Sequence, residues 1–197
     1  MKKLNYIILC LIILFASCTA QTSPKNEIYN KDFNWRITLP KNFDTVSATE
    51  WTKMQNKGID AVEKTFDEKV DNQAKTIFVF KSDKLNYFES NYQPFDTATD
   101  GSYLEACNSV HAVLYETFLT QMPGVIIDTI ASIQKIDDLA FNTYEMKVTY
   151  PNNMVLHAHM FSMLFGKKDF SVNIMYVDNP KGELMLDAWK KSKFGKD

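Results

Sequence analysis

The stretch that decides the fold runs from Val125 to Val177 and reads VIIDTIASIQKIDDLAFNTYEMKVTYPNNMVLHAHMFSMLFGKKDFSVNIMYV. It holds four runs rich in β-branched and aromatic residues, joined by short turn signals such as Gly166-Lys167-Lys168. In the last run, apolar residues alternate from Phe170 to Tyr176 and so share one face of a strand. The run from Val155 to Phe165 is apolar at nearly every position, as in a strand buried on both faces. The stretch therefore predicts a four-stranded antiparallel meander that the rest of the chain covers.

The sequence before and after the meander predicts three helices and three more strands. Strict alternation from Phe33 to Leu39 predicts a half-buried strand, and Thr76 to Phe80 predicts a central one that forms a hairpin with Tyr87 to Tyr92. Ser47 and Ser102 each open a Ser-x-x-Glu capping box, and Asn179-Pro180 provides an N-cap followed by proline, so a helix should begin at each. The order predicts an α+β fold with a largely antiparallel sheet of six to seven strands and three helices.

The N-terminus predicts export and lipid anchoring. Two lysines precede a short apolar run from Tyr6 to Phe15, which is typical of a secretory signal and too short to span a bilayer. The segment Phe15-Ala16-Ser17-Cys18 resembles a bacterial lipobox, with Phe15 where leucine is usual, and implies lipidation of Cys18. The alternative is ordinary cleavage near Ala20 to Gln21. We expect a signal peptide over residues 1–17, a flexible tether over 18–27 and one globular domain over 28–194.

Composition excludes several functions. Without the two lysines of the signal peptide, 20 basic residues face 24 acidic ones, and Arg36 is the only arginine. The basic residues are scattered, so the chain lacks the clustered footprint that nucleic-acid binding requires. Cys107 is the one cysteine left if Cys18 carries lipid, so an internal disulfide cannot form and the fold rests on its core.

The first predicted strand, Phe33 to Pro40 followed by Phe43, resembles the opening signature of the PsbP-like fold, and Trp189 to Phe194 resembles the final helix of that family. The resemblance extends over about residues 28–194 and implies an α/β/α sandwich. Known members include the extrinsic oxygen-evolving-complex protein PsbP and a Ran-binding nuclear import factor. They act largely as accessory or binding modules and share no catalytic set, so the resemblance implies a binding role and no cofactor.

A metal site is the first chemical hypothesis. His157 and His159 lie two residues apart on a strand, and Cys107 and His111 lie four apart on a helix, so each pair shares a face. If that helix packs over that strand, the residues could converge on zinc or copper. The alternative is structural: Cys107 and His111 fill the apolar stripe of their helix, and the other two are hydrogen-bonded sheet residues.

Two further hypotheses concern catalysis and partner binding. Cys107 with His111 as its base could serve a hydrolase-like enzyme, although no catalytic motif accompanies them. Aromatic residues interleaved with polar ones are typical of partner surfaces, and the alternative is that they pack beneath the long helix. The four aromatic residues are Tyr87, Phe88, Tyr92 and Phe95.

The sequence as a whole favours a non-enzymatic interaction or accessory module of the bacterial cell envelope. We expect it to be held by lipid at the outer membrane, to face the periplasm and to bind another protein. The alternatives are a carrier of a small ligand or metal that uses His157, His159 and His111, and a hydrolase-like enzyme.

Overall fold

A computed structural model describes residues 26–195 of the chain, so the predicted signal peptide, Cys18 and nearly all of the tether lie outside the described residues. None of the helices within this range is long and apolar enough to cross a membrane. The elements in chain order are β1 (Glu27–Asn30), β2 (Trp35–Thr38), β3 (Asp44–Thr45), α1 (Ala48–Phe66), β4 (Lys75–Asp83), β5 (Asn86–Pro94), α2 (Tyr103–Gln121), β6 (Ile126–Ile136), β7 (Leu139–Thr149), β8 (Val155–Phe165), β9 (Lys168–Tyr176), α3 (Asn179–Lys190) and β10 (Lys193–Phe194).

The main sheet is a seven-stranded antiparallel sheet in the order β3-β4-β5-β9-β8-β7-β6. The four strands of the predicted meander are β6 to β9, and each pairs with its neighbour in sequence. Asp137 and Asp138 form the two-residue turn between β6 and β7 with φ of 48° and 65°, as a hairpin turn of this length requires. The meander and the α+β fold class are confirmed.

One strand prediction is wrong in position, whereas the half-buried strand predicted near Phe33 is present but belongs to a second sheet. The run at Thr76 to Phe80 belongs to β4, which is next to the sheet edge rather than central. The run is apolar because the rings of Phe78 and Phe80 pack in an aromatic cluster with Phe88 and Trp35. A central position in the sheet is not the cause. The strand near Phe33 is β2, which lies in a separate three-stranded sheet β1-β2-β10. Its partner strands have four and two residues, too short for a pattern to predict.

The larger core lies between the main sheet, the small sheet and α3, on what we call the α3 face. Trp35 of β2 and Trp189 of α3 are completely buried there, with their rings edge to face at 5.9 Å. The predicted apolar face of β9 points into this core. Packing of this density between aromatic rings contributes beyond simple burial of apolar area. It fixes the small sheet and α3 on the main sheet.

Helices α1 and α2 pack against each other and cover the opposite side of the main sheet, the α1–α2 face. Both predicted N-caps are present: Ser47 Oγ accepts a hydrogen bond from the Glu50 amide at 3.2 Å, and Ser102 Oγ accepts one from the Glu105 amide at 3.4 Å. Helix α3 is capped by Asp178, one residue before the predicted Asn179. The structure is thus a sandwich of helices, sheet and a mixed third layer.

Candidate ligand-binding cleft

A ladder of polar side chains runs across the centre of the α1–α2 face. Strands β5 and β9 are antiparallel neighbours, and their residues on this face meet in directly opposed pairs. Helices normally cover apolar sheet faces, so a covered polar stripe must satisfy its hydrogen bonds internally. The opposed pairs are Tyr87 with Met175, Glu89 with Asn173, Asn91 with Ser171, and Gln93 with Asp169.

Glu89 is the centre of this ladder. Its side chain is 3% exposed, yet its hydrogen-bond donors are the uncharged amides of Asn91 and Asn173, each at 2.6 Å. Burial raises the pKa of the Glu89 carboxyl above its ordinary value, while the two amide hydrogen bonds act in the opposite direction. A buried carboxyl without a cationic partner is costly in free energy when it is ionised.

Above Glu89 lies a cleft of about 280 Å³ between the helices and the sheet. Trp51 of α1 and Tyr87 of β5 meet edge to face at 5.6 Å along one wall. The Tyr87 hydroxyl donates to Met175 Sδ at 2.6 Å. The lining residues besides these are Gln55, Glu89, Asn91, Leu114, Phe118, Ala158, Met160 and Asn173, together with His159, whose side chain points to the opposite face of the sheet. The wall is therefore largely aromatic and apolar, with a carboxyl and amides at its base.

Within the described part of the chain, two buried polar atoms of the cleft residues have no hydrogen-bond partner. They are the indole Nε1 of Trp51, a donor, and the Oδ1 of Asn173, an acceptor. Buried polar groups are hydrogen-bonded in the great majority of cases, and an exception calls for an explanation. Together with Glu89, the cleft residues offer one donor, one acceptor and one carboxyl, which is the pattern of a ligand site with few convergent polar groups.

A smaller cavity of about 80 Å³ adjoins the cleft and shares Met160 and Asn173 with it. Tyr103 of α2 donates to Asp169 Oδ1 at 2.7 Å beside this space, and burial is the largest cause that raises the pKa of Tyr103. Cys107 Sγ lies 3.5 Å from Ser162 Oγ. These contacts fix α2 on the polar stripe, so the cleft is part of a longer polar seam beneath that helix.

The predicted convergence of Cys107, His111, His157 and His159 is wrong, because the sheet lies between the two pairs. The His111 ring stacks on Tyr144 at 4.2 Å on the α1–α2 face. As predicted, Cys107 and His111 share one face, and so do His157 and His159. The strand histidines lie on the α3 face of the sheet, against Tyr176. Among residues 26–195, no three His, Cys, Asp or Glu side chains are grouped to hold a metal ion.

His159 instead belongs to a small polar cluster on the α3 face. Its Nε2 lies 3.1 Å from the Tyr176 hydroxyl, and its Nδ1 lies 3.7 Å from Glu145 Oε2. Burial lowers the pKa of His159, whereas Glu145 raises it. His157 stacks on Tyr176 at 4.8 Å. This arrangement fits the structural alternative, in which the strand histidines are hydrogen-bonded or stacked sheet residues.

The four aromatic residues predicted to bind a partner do not form an exposed surface. Phe88 is fully buried and Phe95 is 8% exposed, with its ring 5.3 Å from Tyr103. Tyr92 packs on Phe33 at 5.5 Å on the α3 face, whereas Tyr87 lines the cleft. The prediction is wrong because β5 is an inner strand of the sheet, covered on both sides.

The exposed apolar surface lies on β6 instead. This 11-residue strand is at the edge of the main sheet, and among residues 26–195 it pairs with β7 alone. Ile126, Ile130 and Ile133 are 65%, 63% and 70% exposed. A long edge strand with exposed apolar residues and free backbone groups is a template for pairing with another strand. We call this surface the β6 edge.

The comparisons with known proteins concern the fold. The structure superposes on the solution structure of cyanobacterial PsbP (CyanoP) from Synechocystis sp. PCC 6803 with a TM-score of 0.56 and 9% identity, over 89% of this chain and 96% of that chain. A protein of Bacteroides thetaiotaomicron VPI-5482 is similar with a TM-score of 0.47 and 7% identity, over 87% of this chain and 49% of that chain. No protein-family model and no curated protein matches the sequence.

The chain therefore has a PsbP-like fold, as the resemblance of its first strand and final helix predicted. At 9% identity the similarity establishes the fold alone. Function must then be argued from the cleft and from the β6 edge of this chain.

Proposed function

We propose that this protein is a lipid-anchored, non-enzymatic binding protein of the bacterial cell envelope, and that its PsbP-like domain holds a small ligand in the cleft. The observation that carries the proposal is the Glu89 carboxyl, which is buried beside an open space and whose hydrogen-bond donors within residues 26–195 are uncharged amides. The free acceptor of Asn173 and the free donor of Trp51 support it. The proposal agrees with the small-ligand carrier that the sequence offered as an alternative, but its binding site is the cleft and not the histidines.

A non-enzymatic role is supported by the environment of the predicted nucleophile. Cys107 is buried and contacts Ser162, while the ring of His111 is stacked on Tyr144. A nucleophilic cysteine needs an electropositive and partly exposed surrounding, which this position does not provide.

Native mass spectrometry tests the cleft. Full-length protein extracted from membranes in mild detergent should carry a reproducible mass excess from a small organic molecule. Ala158→Met should abolish the excess, because Ala158 is buried at the base of the cleft and a longer side chain would enter the space. Ala140→Met, at an exposed position of the neighbouring β7, is the matched control. A bare protein mass from every preparation would contradict the proposal.

The envelope location is proposed from the sequence of residues 1–18. Cys18→Ser should move the protein from the membrane fraction to the soluble periplasmic fraction and remove the mass of the acyl chains. Membrane retention of the Cys18→Ser protein, without any acyl mass in the wild type, would contradict lipid anchoring.

A second candidate function is protein interaction through the β6 edge. The exposed isoleucines favour it, because Ile126 and Ile130 lie on one face of an edge strand that can still pair and Ile133 lies on the other. The expected partner is an extended segment of another envelope protein that adds one strand to the sheet. Ile130→Lys should abolish such binding, whereas Leu104→Lys, on the exposed surface of α2, should preserve it.

A further inference from the structure

We propose that the ligand of the cleft is a small primary amine whose ammonium group pairs with Glu89 and Asn173 and whose other end carries a hydrogen-bond acceptor for Trp51. The inference rests on the function proposed above and gives that site its ligand class.

The charge of the cleft selects a cation. Glu89 is the only acidic side chain that lines it, and within residues 26–195 no lysine or arginine lines it. The donors to the carboxylate are neutral amides, so no cationic side chain of residues 26–195 compensates its charge by a hydrogen bond. A ligand that brings a positive charge into contact with this carboxylate removes the cost of burying it, whereas an anion would add to that cost.

The walls of the cleft select an organic cation. Trp51, Tyr87 and Phe118 present aromatic rings to the space, and Leu114, Met160 and Met175 add apolar surface. Aromatic faces attract ammonium groups, and apolar walls bury the carbon chain that such a group carries. A metal ion would instead need several oxygen, nitrogen or sulfur ligands, which these walls do not bring together.

The free acceptor selects an amine that still has N–H groups. Asn173 uses its amide nitrogen to donate to Glu89, and its Oδ1 has no hydrogen-bond partner among residues 26–195. A primary ammonium has three donors and can serve both oxygens at once. A quaternary ammonium has none and would leave Asn173 Oδ1 buried and unsatisfied, which is costly.

The free donor sets the far end of the ligand. Among residues 26–195 Trp51 Nε1 has no partner and requires an acceptor, and the Trp51 ring packs on Tyr87, two residues before Glu89 on the same strand. Residues two apart on a strand share a face, so Trp51 and Glu89 line the same cleft. The ligand should therefore carry an acceptor at the end away from its ammonium group, as in a short amino alcohol. A cleft of about 280 Å³ suits a ligand of this size.

The test uses 5-aminopentan-1-ol as the amine probe, with pentane-1,5-diol and 5-hydroxypentanoate as its neutral and anionic analogues. Calorimetric titration of the full-length protein in detergent should show binding of the amine and at least tenfold weaker binding of both analogues. Glu89→Gln should weaken binding of the amine about ten- to hundredfold, as for loss of one charged hydrogen bond. Glu145→Gln makes the same change on the other face of the sheet and should leave binding unchanged.

The outcomes separate the ligand class from the cleft function. Equal binding of the diol and the amine, or unchanged binding by Glu89→Gln, would overturn the amine inference. The proposed cleft function would stand in that case if Ala158→Met still abolished binding. Failure of all three probes, together with a bare wild-type mass, would overturn both.

Discussion

The pH dependence of stability tests the burial of Glu89 directly. Because burial raises its pKa in the folded state, the folded protein keeps a proton that the unfolded chain releases above its ordinary pKa of 4.5. The free energy of unfolding should therefore lose up to about 1.4 kcal/mol per pH unit from this group, from pH 4.5 up to the folded-state pKa. Above that pKa the loss stays constant. Stability from this group is thus present in acid and lost as pH rises.

Glu89→Gln isolates this contribution, because glutamine has the same shape and does not titrate. A rotated Asn173 amide would offer its oxygen to the amide of the introduced glutamine, so the hydrogen bonds can be rebuilt. We expect the variant to match the wild type below about pH 4.5 and to exceed it increasingly as pH rises, in urea unfolding followed by circular dichroism. Glu145→Gln, with its partly exposed side chain, is the control. A wild-type minus variant difference that does not change between about pH 4 and pH 8 would refute the reasoning.

Three further predictions concern stability and are measured by urea denaturation. Gly182→Ala should cost about 1–3 kcal/mol, since a Cβ there would lie 2.5 Å from Cε2 and Cγ of Tyr176, whereas Gly58→Ala meets nothing within 4 Å and should gain up to about 1 kcal/mol. Equal effects of these two changes would show that the close approach of α3 to Tyr176 is not real. Asn86→Ala should cost about 1–3 kcal/mol, because its buried oxygen accepts from the amides of Val177 and Asp178. An unchanged midpoint would argue against that role. Ser102→Ala should cost about 1 kcal/mol through loss of the α2 N-cap, and no loss would mean that water replaces the cap.

Local patterns in the sequence were enough to predict the helices and the meander. Capping boxes begin at Ser47 and Ser102, and α1 and α2 start at the next residue in each case. Alternation in β9 correctly identified its buried face from Phe170 to Tyr176. These signals depend on residues close in sequence, where side-chain spacing follows from backbone geometry alone.

The order of the strands in the sheet could not be predicted in the same way. The placement of β5 beside β9 brings together segments about eighty residues apart, and nothing local in either strand encodes that pairing. This pairing is what buries Tyr87 and Phe88, which looked like a partner surface in the sequence. It also makes the polar faces of both strands the base of the cleft.

The candidate cleft was missed because its signal in the sequence resembles an exposed strand face. Glu89, Asn91 and Gln93 alternate with Phe88, Ser90 and Tyr92, and such a polar set on one side of a strand normally indicates a solvated face. Helices α1 and α2 cover the polar face as well. The histidines were the more conspicuous residues, but the sheet separates His111 from His157 and His159.

A crystal structure of the full-length protein, purified from its native membrane, would decide whether the cleft holds a ligand. We predict electron density for an organic molecule between the Glu89 carboxyl and the Trp51 indole, with polar atoms within hydrogen-bond distance of Asn173 Oδ1 and Trp51 Nε1. Ordered water alone in that space, or helices α1 and α2 closed onto Glu89, would contradict the proposed binding function.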